Sequence, residues 1–498
     1  MASIINKTLL ALFSSRLKEI DRHYADPLSI QLSQFDLLCK DSNQYIKSFG
    51  DISTIEKFQN NVPVVDYEGL SEHIEKVRSG QKDALWASSP SKWAAKSSGT
   101  TASVSKYIPI TKQYLDKCHY QGSRDTLALS LRNFPDTLAV SGKSLTLGGS
   151  AKIEQEGRLL TGDLSAILIE NTPWYALTKR LPKSEVALIP NFEEKVAAIC
   201  RATATENITS FAGVPSWNLV LMNSILDYTG KNNIHEVWRD MSLFAHGGIA
   251  FEPYRAEYQR LFPDPKMRYI ETYNASEGFF GIQDDPSDSA MLLMLDYQIF
   301  YEFIPTATLY DHSTVVTLEG VKTGVNYAMV ISTSCGLWRY MIGDTVQFTS
   351  TAPYKIKITG RTKSFINAFG EEVIVDNADK AIRAACDATG TEVLEYTAAP
   401  IFMEGKEKGA HQWVIECIKE PSCKEEFVRV LDQTLQQINS DYGAKRFNST
   451  TLNAPKVHFV ASGTFKKWME GRGKLGGQNK VPRLSNSREH VESLLSSI

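Results

Sequence analysis

The sequence predicts an α/β protein, with a large amino-terminal domain of mixed and parallel sheets flanked by helices and a small α+β carboxyl-terminal domain. Three observations carry that expectation. Strand-like and helix-like segments alternate along the chain, which favours a partly parallel sheet. The 498 residues exceed what one compact core holds. The pattern also restarts after the polar stretch Thr359-Gly360-Arg361, which reads as a turn and sets domains at residues 1–358 and 359–498.

The elements follow in order. The first 26 residues carry a short apolar patch ended by Arg16, Lys18 and Glu19, an amphipathic helix rather than a signal peptide. The apolar run from Ser165 to Glu170 reads as a strand, and Ile208 to Ala212 as another. Between them Val196, Ile199 and Cys200 share one face of a helix from Phe192 to Thr203. In the small domain, strand-like Gln412 to Ile418 and Lys456 to Val460 flank a helix over residues 424–441, with Phe427, Leu431, Leu435 and Ile438 at helical spacing.

Composition narrows the class. A hydrophobic fraction of 42% and a charged fraction of 22% exclude disorder and coiled coil as the dominant state. A formal charge of -3 gives no global attraction to nucleic acid or anionic lipid. No run reaches the roughly 18 apolar residues of a membrane span. Seven cysteines without a C-x-x-C pattern fit a reduced, cytoplasmic setting. The nine histidines show no metal-ligand spacing, and no G-x-S-x-G elbow is present.

Three segments can carry chemistry. In Lys96-Ser-Ser-Gly-Thr-Thr-Ala-Ser-Val-Ser-Lys106, five small residues, Ser97, Ser98, Gly99, Thr100 and Thr101, offer hydroxyls and close-approaching backbone amides, and Lys106 adds a point charge. That is a triphosphate grip without Walker A spacing; a Ser/Thr-rich surface turn has the same composition. In Tyr269-Ile-Glu-Thr-Tyr-Asn-Ala-Ser-Glu-Gly278, an alternating strand breaks at Asn274 and presents Glu277, a site for Mg²⁺ or equally a solvated turn glutamate. In Gly336-Leu-Trp-Arg-Tyr-Met-Ile-Gly-Asp344, Trp338, Tyr340 and Ile342 form a packing face opposite Arg339 and Met341. Asp344, freed by Gly343, reaches outward as a ribose-holding carboxylate or a turn aspartate.

Two glycine features accompany them. Gly247 and Gly248 follow a strand and let a flat base lie against the backbone, or simply turn the chain. Gly471, Gly473 and Gly476 match G-x-G-x-x-G but lack its βαβ context. The basic, aromatic-interleaved stretch around them, Phe465 to Arg483, reads as a mobile loop that meets an anionic ligand.

Taken in this order, Ser97 to Thr101 with Lys106, Tyr273-Asn274-Ala275-Ser276-Glu277-Gly278, and Arg339 to Asp344 resemble the nucleotide motifs of the Gretchen Hagen (auxin-responsive) acyl acid-amido synthetases, bacterial-type members included, within the adenylate-forming superfamily of acyl-CoA synthetases and luciferase. Asn61 to Leu70, Ile358 to Asn367 and Gly477 to Arg483 extend the resemblance over nearly the whole chain. It implies a large ATP- and acyl-binding domain and a mobile lid. It also implies ATP-dependent adenylation of a small carboxylic acid, then transfer of the acyl group to an amino acid. By the same resemblance, Ser97, Ser98, Thr100, Thr101 and Lys106 hold the phosphates, Gly247 and Gly248 with Tyr273 border the adenine, and Gly99, Asn274, Ala275 and Ser276 belong to the same nucleotide site. Glu277 meets Mg²⁺, Asp344 holds the ribose, Arg361 and Lys363 lie at the hinge, and Lys480 reaches the α-phosphate. Transfer to a thiol, as in acyl-CoA ligases, and a nucleotide- and acid-binding module without turnover are the alternatives. The chain departs from the family pattern at Ser103, where glycine is usual, and at Met341 and Trp338, where a second arginine and an aromatic are usual.

Overall fold

The structure, a computed structural model, describes the chain apart from residue 1 and residues 41–43, 82–83, 87–88, 98–105, 149–152, 190, 249–250, 253–254, 363–364, 367–372, 402–408, 440–441, 444–445, 447–451, 473–480 and 486. The chain divides into two compact units. The first takes Met1–Ile342, Val346–Lys357 and Gly476–Gln478, and the second takes Gly343–Thr345, Ile358–Leu475 and Asn479–Ile498. Among the described residues no helix is long and apolar enough to cross a membrane, and no disulfide joins any of the seven cysteines.

The framework of the first unit is a mixed sheet. Its parallel part sets Arg180–Leu181, Lys143–Thr146, Ile208–Gly213, Leu243–Gly247 and Arg268–Ala275 side by side, and antiparallel neighbours continue it from Gly278–Ile282. Core clusters cover both faces of this part of the sheet. Phe211 and Phe244 pack on one face with Tyr258 and Phe262, while Leu243 and Ile270 join the core on the other. A second sheet pairs Ser91–Ser97 antiparallel with Lys106–Thr111 and parallel with Leu159–Gly162.

The amino-terminal helix Ala2–Ala25 is held down by charge as well as by its apolar face. Arg16 Nε donates to both oxygens of Asp125, at 3.0 and 2.9 Å, and the same guanidinium bonds Asp296. Tyr297 completes the cluster through its hydroxyl on Asp125 at 2.7 Å.

The second unit is a three-stranded sheet. Ala410–Lys419 lies between antiparallel Glu392–Ile401 and parallel Lys456–Ala461. Helices Val375–Thr389 and Lys424–Ile438 contribute Ile382, Phe427, Leu431 and Leu435 to the core that holds Trp413 and Ile415. Val414, from the opposite side of that strand, joins Phe465, Trp468, Val491 and Leu494.

Several expectations are corrected here. The run Ser165 to Glu170 is helix, not strand: Asp163 caps Leu164–Glu170 by accepting the Ala166 amide at 2.7 Å, and Leu164 and Ile167 then meet the core at helical spacing. Thr359-Gly360-Arg361 is not a turn but the end of strand Tyr354–Arg361, with Gly360 at φ 150°. The start of the basic carboxyl-terminal stretch is helix Thr464–Gly471 rather than loop, and its aromatics Phe465 and Trp468 are core residues.

Candidate active site

Lys106 and Ser97 are cross-strand partners at the end of the hairpin from which residues 98–105 continue. Ser98, Gly99, Thr100 and Thr101 of the proposed grip lie outside the described residues, as do Ser103, Lys363 and Lys480. Lys106 Nζ stands 5.6 Å over the Tyr67 ring, and the Tyr67 hydroxyl accepts the Tyr107 amide at 2.9 Å. A cation over an aromatic face is held without being neutralised.

Glu277 occupies the tip of the hairpin between Arg268–Ala275 and Gly278–Ile282. It is 8% exposed, and neighbouring Ser276 is 4% exposed. Tyr340 feels both Glu277 and Tyr67: burial first, then the Glu277 carboxylate and the Tyr67 hydroxyl, push its phenol well above the ordinary range. Glu277 and Tyr67, the ring under Lys106, therefore both act on Tyr340.

Two buried oxygens there, Ser276 Oγ and Tyr340 Oη, have no hydrogen-bond partner among the described residues. A buried hydroxyl without a partner is costly, and such an atom at a concave site suits a polar ligand. Tyr340 is the functional side chain that sequence reading missed, because strand alternation assigned it to packing alone. A phenol inside an otherwise apolar alternation was the available signal.

Gly247 ends its strand opposite Thr272, one residue before Tyr273. A Cβ on Gly247 would stand 2.3 Å from the Thr272 carbonyl oxygen, so no side chain fits, and Gly248 follows at φ 82°. The bare backbone thus lies at the carboxyl end of parallel strands, the usual ligand edge of such sheets. Tyr273 is buried with its ring 4.8 Å from Phe280, whereas Asn274 is exposed and Ala275 half-buried.

On the same strand as Tyr273, burial pushes Glu271 up to about 7, opposed by Arg255 and Lys357 and reinforced by Glu252. Its cross-strand partner His246 is held neutral by burial, pushed down to about 3. Between about pH 4.5 and 7 the folded chain keeps a Glu271 proton that the unfolded chain has lost, so stability falls as pH rises through that window and is flat above it. Glu271→Gln is expected to raise the melting temperature at about pH 8 and leave it near the parent's at about pH 4.5. Parallel pH dependence of melting in variant and parent would reject this.

The third motif divides. Arg339 does not lie opposite a packing face: it is 3% exposed, in the left-handed region at φ 43°, and forms a fork onto the buried Glu302 with both N···O distances at 3.0 Å. Its remaining nitrogen donates to the Gln59 and Val62 carbonyls at 2.7 and 2.5 Å. Arg339 is consumed by the fold. Asp344 does not reach outward either; it is buried and accepts from Arg361 Nε at 2.9 Å within the second unit.

Past Lys480 the chain is anchored to the second unit. The Ala398 amide donates to the Arg483 carbonyl at 2.8 Å, the Ser485 amide to the Ala398 carbonyl at 3.0 Å, and the Arg483 guanidinium bonds both Asp379 oxygens.

Known proteins share this organisation. The GH3 family N-terminal domain matches residues 16–267, the central domain 292–361 and the C-terminal domain 376–489. The indole-3-acetic acid-amido synthetase GH3.3 of Arabidopsis thaliana is 24% identical over 90% of this chain and 87% of its own length. The 4-substituted benzoates-glutamate ligase GH3.12 of the same plant is 22% identical over 88% of this chain and 89% of its own. The solved structure of a GH3.15 acyl acid amido synthetase superposes with a TM-score of 0.79 at 18% identity, covering 96% of this chain and 95% of that one, a likeness of fold. With three successive family domains matched in order across both units, and relatives aligned over most of its length, this chain belongs to the GH3 family.

Proposed function

We propose that this chain is an ATP-dependent acyl acid-amido synthetase, as the names of its relatives indicate for them. The observation that carries the reading is a buried Glu277 beside two buried hydroxyls that, among the described residues, lack hydrogen-bond partners. In the first step a carboxylate oxygen of a small organic acid attacks the α-phosphorus of ATP, the bond to the β-phosphate oxygen breaks, and pyrophosphate leaves. In the second, an amino acid nitrogen attacks the acyl carbon, AMP departs with its phosphate oxygen, and the nitrogen loses a proton to give the amide.

In this reading Ser97, Ser98, Thr100, Thr101 and Lys106 hold the phosphates, Gly247 and Gly248 with Tyr273 border the adenine, and Gly99, Asn274, Ala275 and Ser276 belong to the same nucleotide site. Asp344 holds the ribose, Arg361 and Lys363 belong to a hinge, and Lys480 neutralises the α-phosphate. Residues 1–358 bind ATP and acid, and residues 359–498 form the lid. Glu277 suits Mg²⁺, which takes one or two carboxylates and completes its shell with phosphate oxygens and water; among the described residues no group of three His, Cys, Asp or Glu forms a self-contained metal cage. Bound there, the ion would offset charge on the phosphate oxygens.

The test is pyrophosphate release with Mg·ATP across aryl, indole and aliphatic carboxylic acids, each with and without amino acids or coenzyme A. Release that needs one acid and rises with an amino acid, with the amide identified by mass, is expected. A thioester product would reassign the acceptor, and nucleotide binding without pyrophosphate across the panel would reduce the protein to a binding module.

A further inference from the structure

The hairpin that presents Glu277 does not hold its own shape. Its loop is two residues, Ser276 and Glu277, between the paired Ala275 and Gly278. Neither loop residue has a positive φ, so this is not one of the mirror-image turns whose twist suits a two-residue hairpin. A register shift follows at once between Phe279 and Gly281, and a bulge of this kind leaves ladder groups unpaired. Glu277 and Phe279 are buried, so the carbonyl of one and the amide of the other need partners from elsewhere.

Both partners come from a single helical turn. Tyr114 Oη donates to the Glu277 carbonyl at 2.8 Å, and the Phe279 amide donates to Cys118 Sγ at 3.2 Å. Tyr114 directly precedes the π-helical segment Leu115–His119, a widened winding often found at functional sites. Burial holds the Cys118 sulfur as a thiol, its pKa pushed up to about 12. Glycines on both sides permit the approach: a Cβ on Gly278 would stand 2.8 Å from Tyr114 Oη, and one on Gly122 would stand 2.3 Å from the Phe279 ring. The helical turn therefore grips the backbone on either side of Gly278, directly after Glu277.

We propose that Tyr114 and Cys118 are positioning residues that aim the Glu277 carboxylate at its ligand by fixing the Glu277 carbonyl and the Phe279 amide. The proposal rests on the reading of Glu277 as a divalent-cation ligand. Its chemistry follows that of metal ligands generally, whose supporting hydrogen bonds set orientation and affinity.

The test compares affinity for Mn²⁺·α,β-methylene-ATP with affinity for the metal-free nucleotide, using the full chain and electron paramagnetic resonance of the Mn²⁺. Glu277→Gln is expected to abolish the preference for the metal complex. Tyr114→Phe and Cys118→Ala are each expected to reduce that preference about tenfold, with metal-free affinity held within about twofold. Cys118→Ser, which keeps an acceptor, is expected to recover part of the loss, and melting temperatures are expected to stay within about 2 °C of the parent. Parent-like metal preference in Tyr114→Phe and Cys118→Ala beside an impaired Glu277→Gln overturns the positioning role alone. An equal loss of metal-free binding or of stability overturns it as well, since that marks a structural role. A parent-like Glu277→Gln overturns the metal reading itself.

Discussion

Replacing Arg339 with methionine is expected to destabilise the amino-terminal unit by about 3–5 kcal/mol. The side chain is almost wholly buried and bonds both oxygens of an equally buried Glu302, itself 1% exposed. Removing the guanidinium leaves that carboxylate with the Gln59 amide, at 2.9 Å, as a neutral donor, and it strips the Gln59 and Val62 carbonyls of theirs. The loss of a buried partner, rather than of an attractive contact, sets the size of the effect. Urea unfolding followed by tryptophan fluorescence reports it locally, because the Trp338 and Trp86 rings lie 5.8 Å apart on the same cluster. Combining Arg339→Met with Glu302→Leu is expected to recover much of the stability, since no charge then remains buried alone. A single variant with the parent's urea midpoint would reject the assignment.

Lys480→Ala is expected to lower acid-dependent pyrophosphate release by about 10²–10³-fold while ATP affinity stays within a few fold. Negative charge on the oxygens around the α-phosphorus is redistributed as the bond to pyrophosphate breaks, so a cation aimed there lowers the barrier more than it tightens binding. The substitution is not expected to disturb folding, because the chain is fixed three residues later by the Arg483 and Ser485 backbone bonds to Ala398. Lys480→Arg, which keeps the charge but not the point geometry, is expected to fall between the two. Unchanged turnover in Lys480→Ala would remove this residue from the chemistry.

The two units answer differently to substitution on this account. The Arg339 effect is read in stability and follows the folded fraction. The Lys480 effect is expected in turnover at constant stability, so the two measurements separate a motif residue that builds the fold from one proposed to act on substrate.

Periodicity, composition and motif order were sufficient for the α/β class, for helices such as Phe192–Thr203 and Lys424–Ile438, and for the family whose three domains match in order along the chain. These are local properties, carried by apolar spacing and small-residue runs within a dozen positions. Where a local signal was ambiguous, a longer-range term decided it. The Ile-Leu-Ile run became helix because Asp163 capped it and the core accepted its helical face, and Thr359 to Arg361 stayed in a strand because a neighbouring strand paired with it. Only the tertiary structure could divide the third motif, since the fate of Arg339 depended on a carboxylate 37 positions away and two carbonyls about 280 positions away. The same holds for the Tyr114 and Cys118 grip on the hairpin, contacts between residues far apart in sequence. Residue type shows what a side chain can do; which partner desolvation forces on it is settled only when distant segments are buried together.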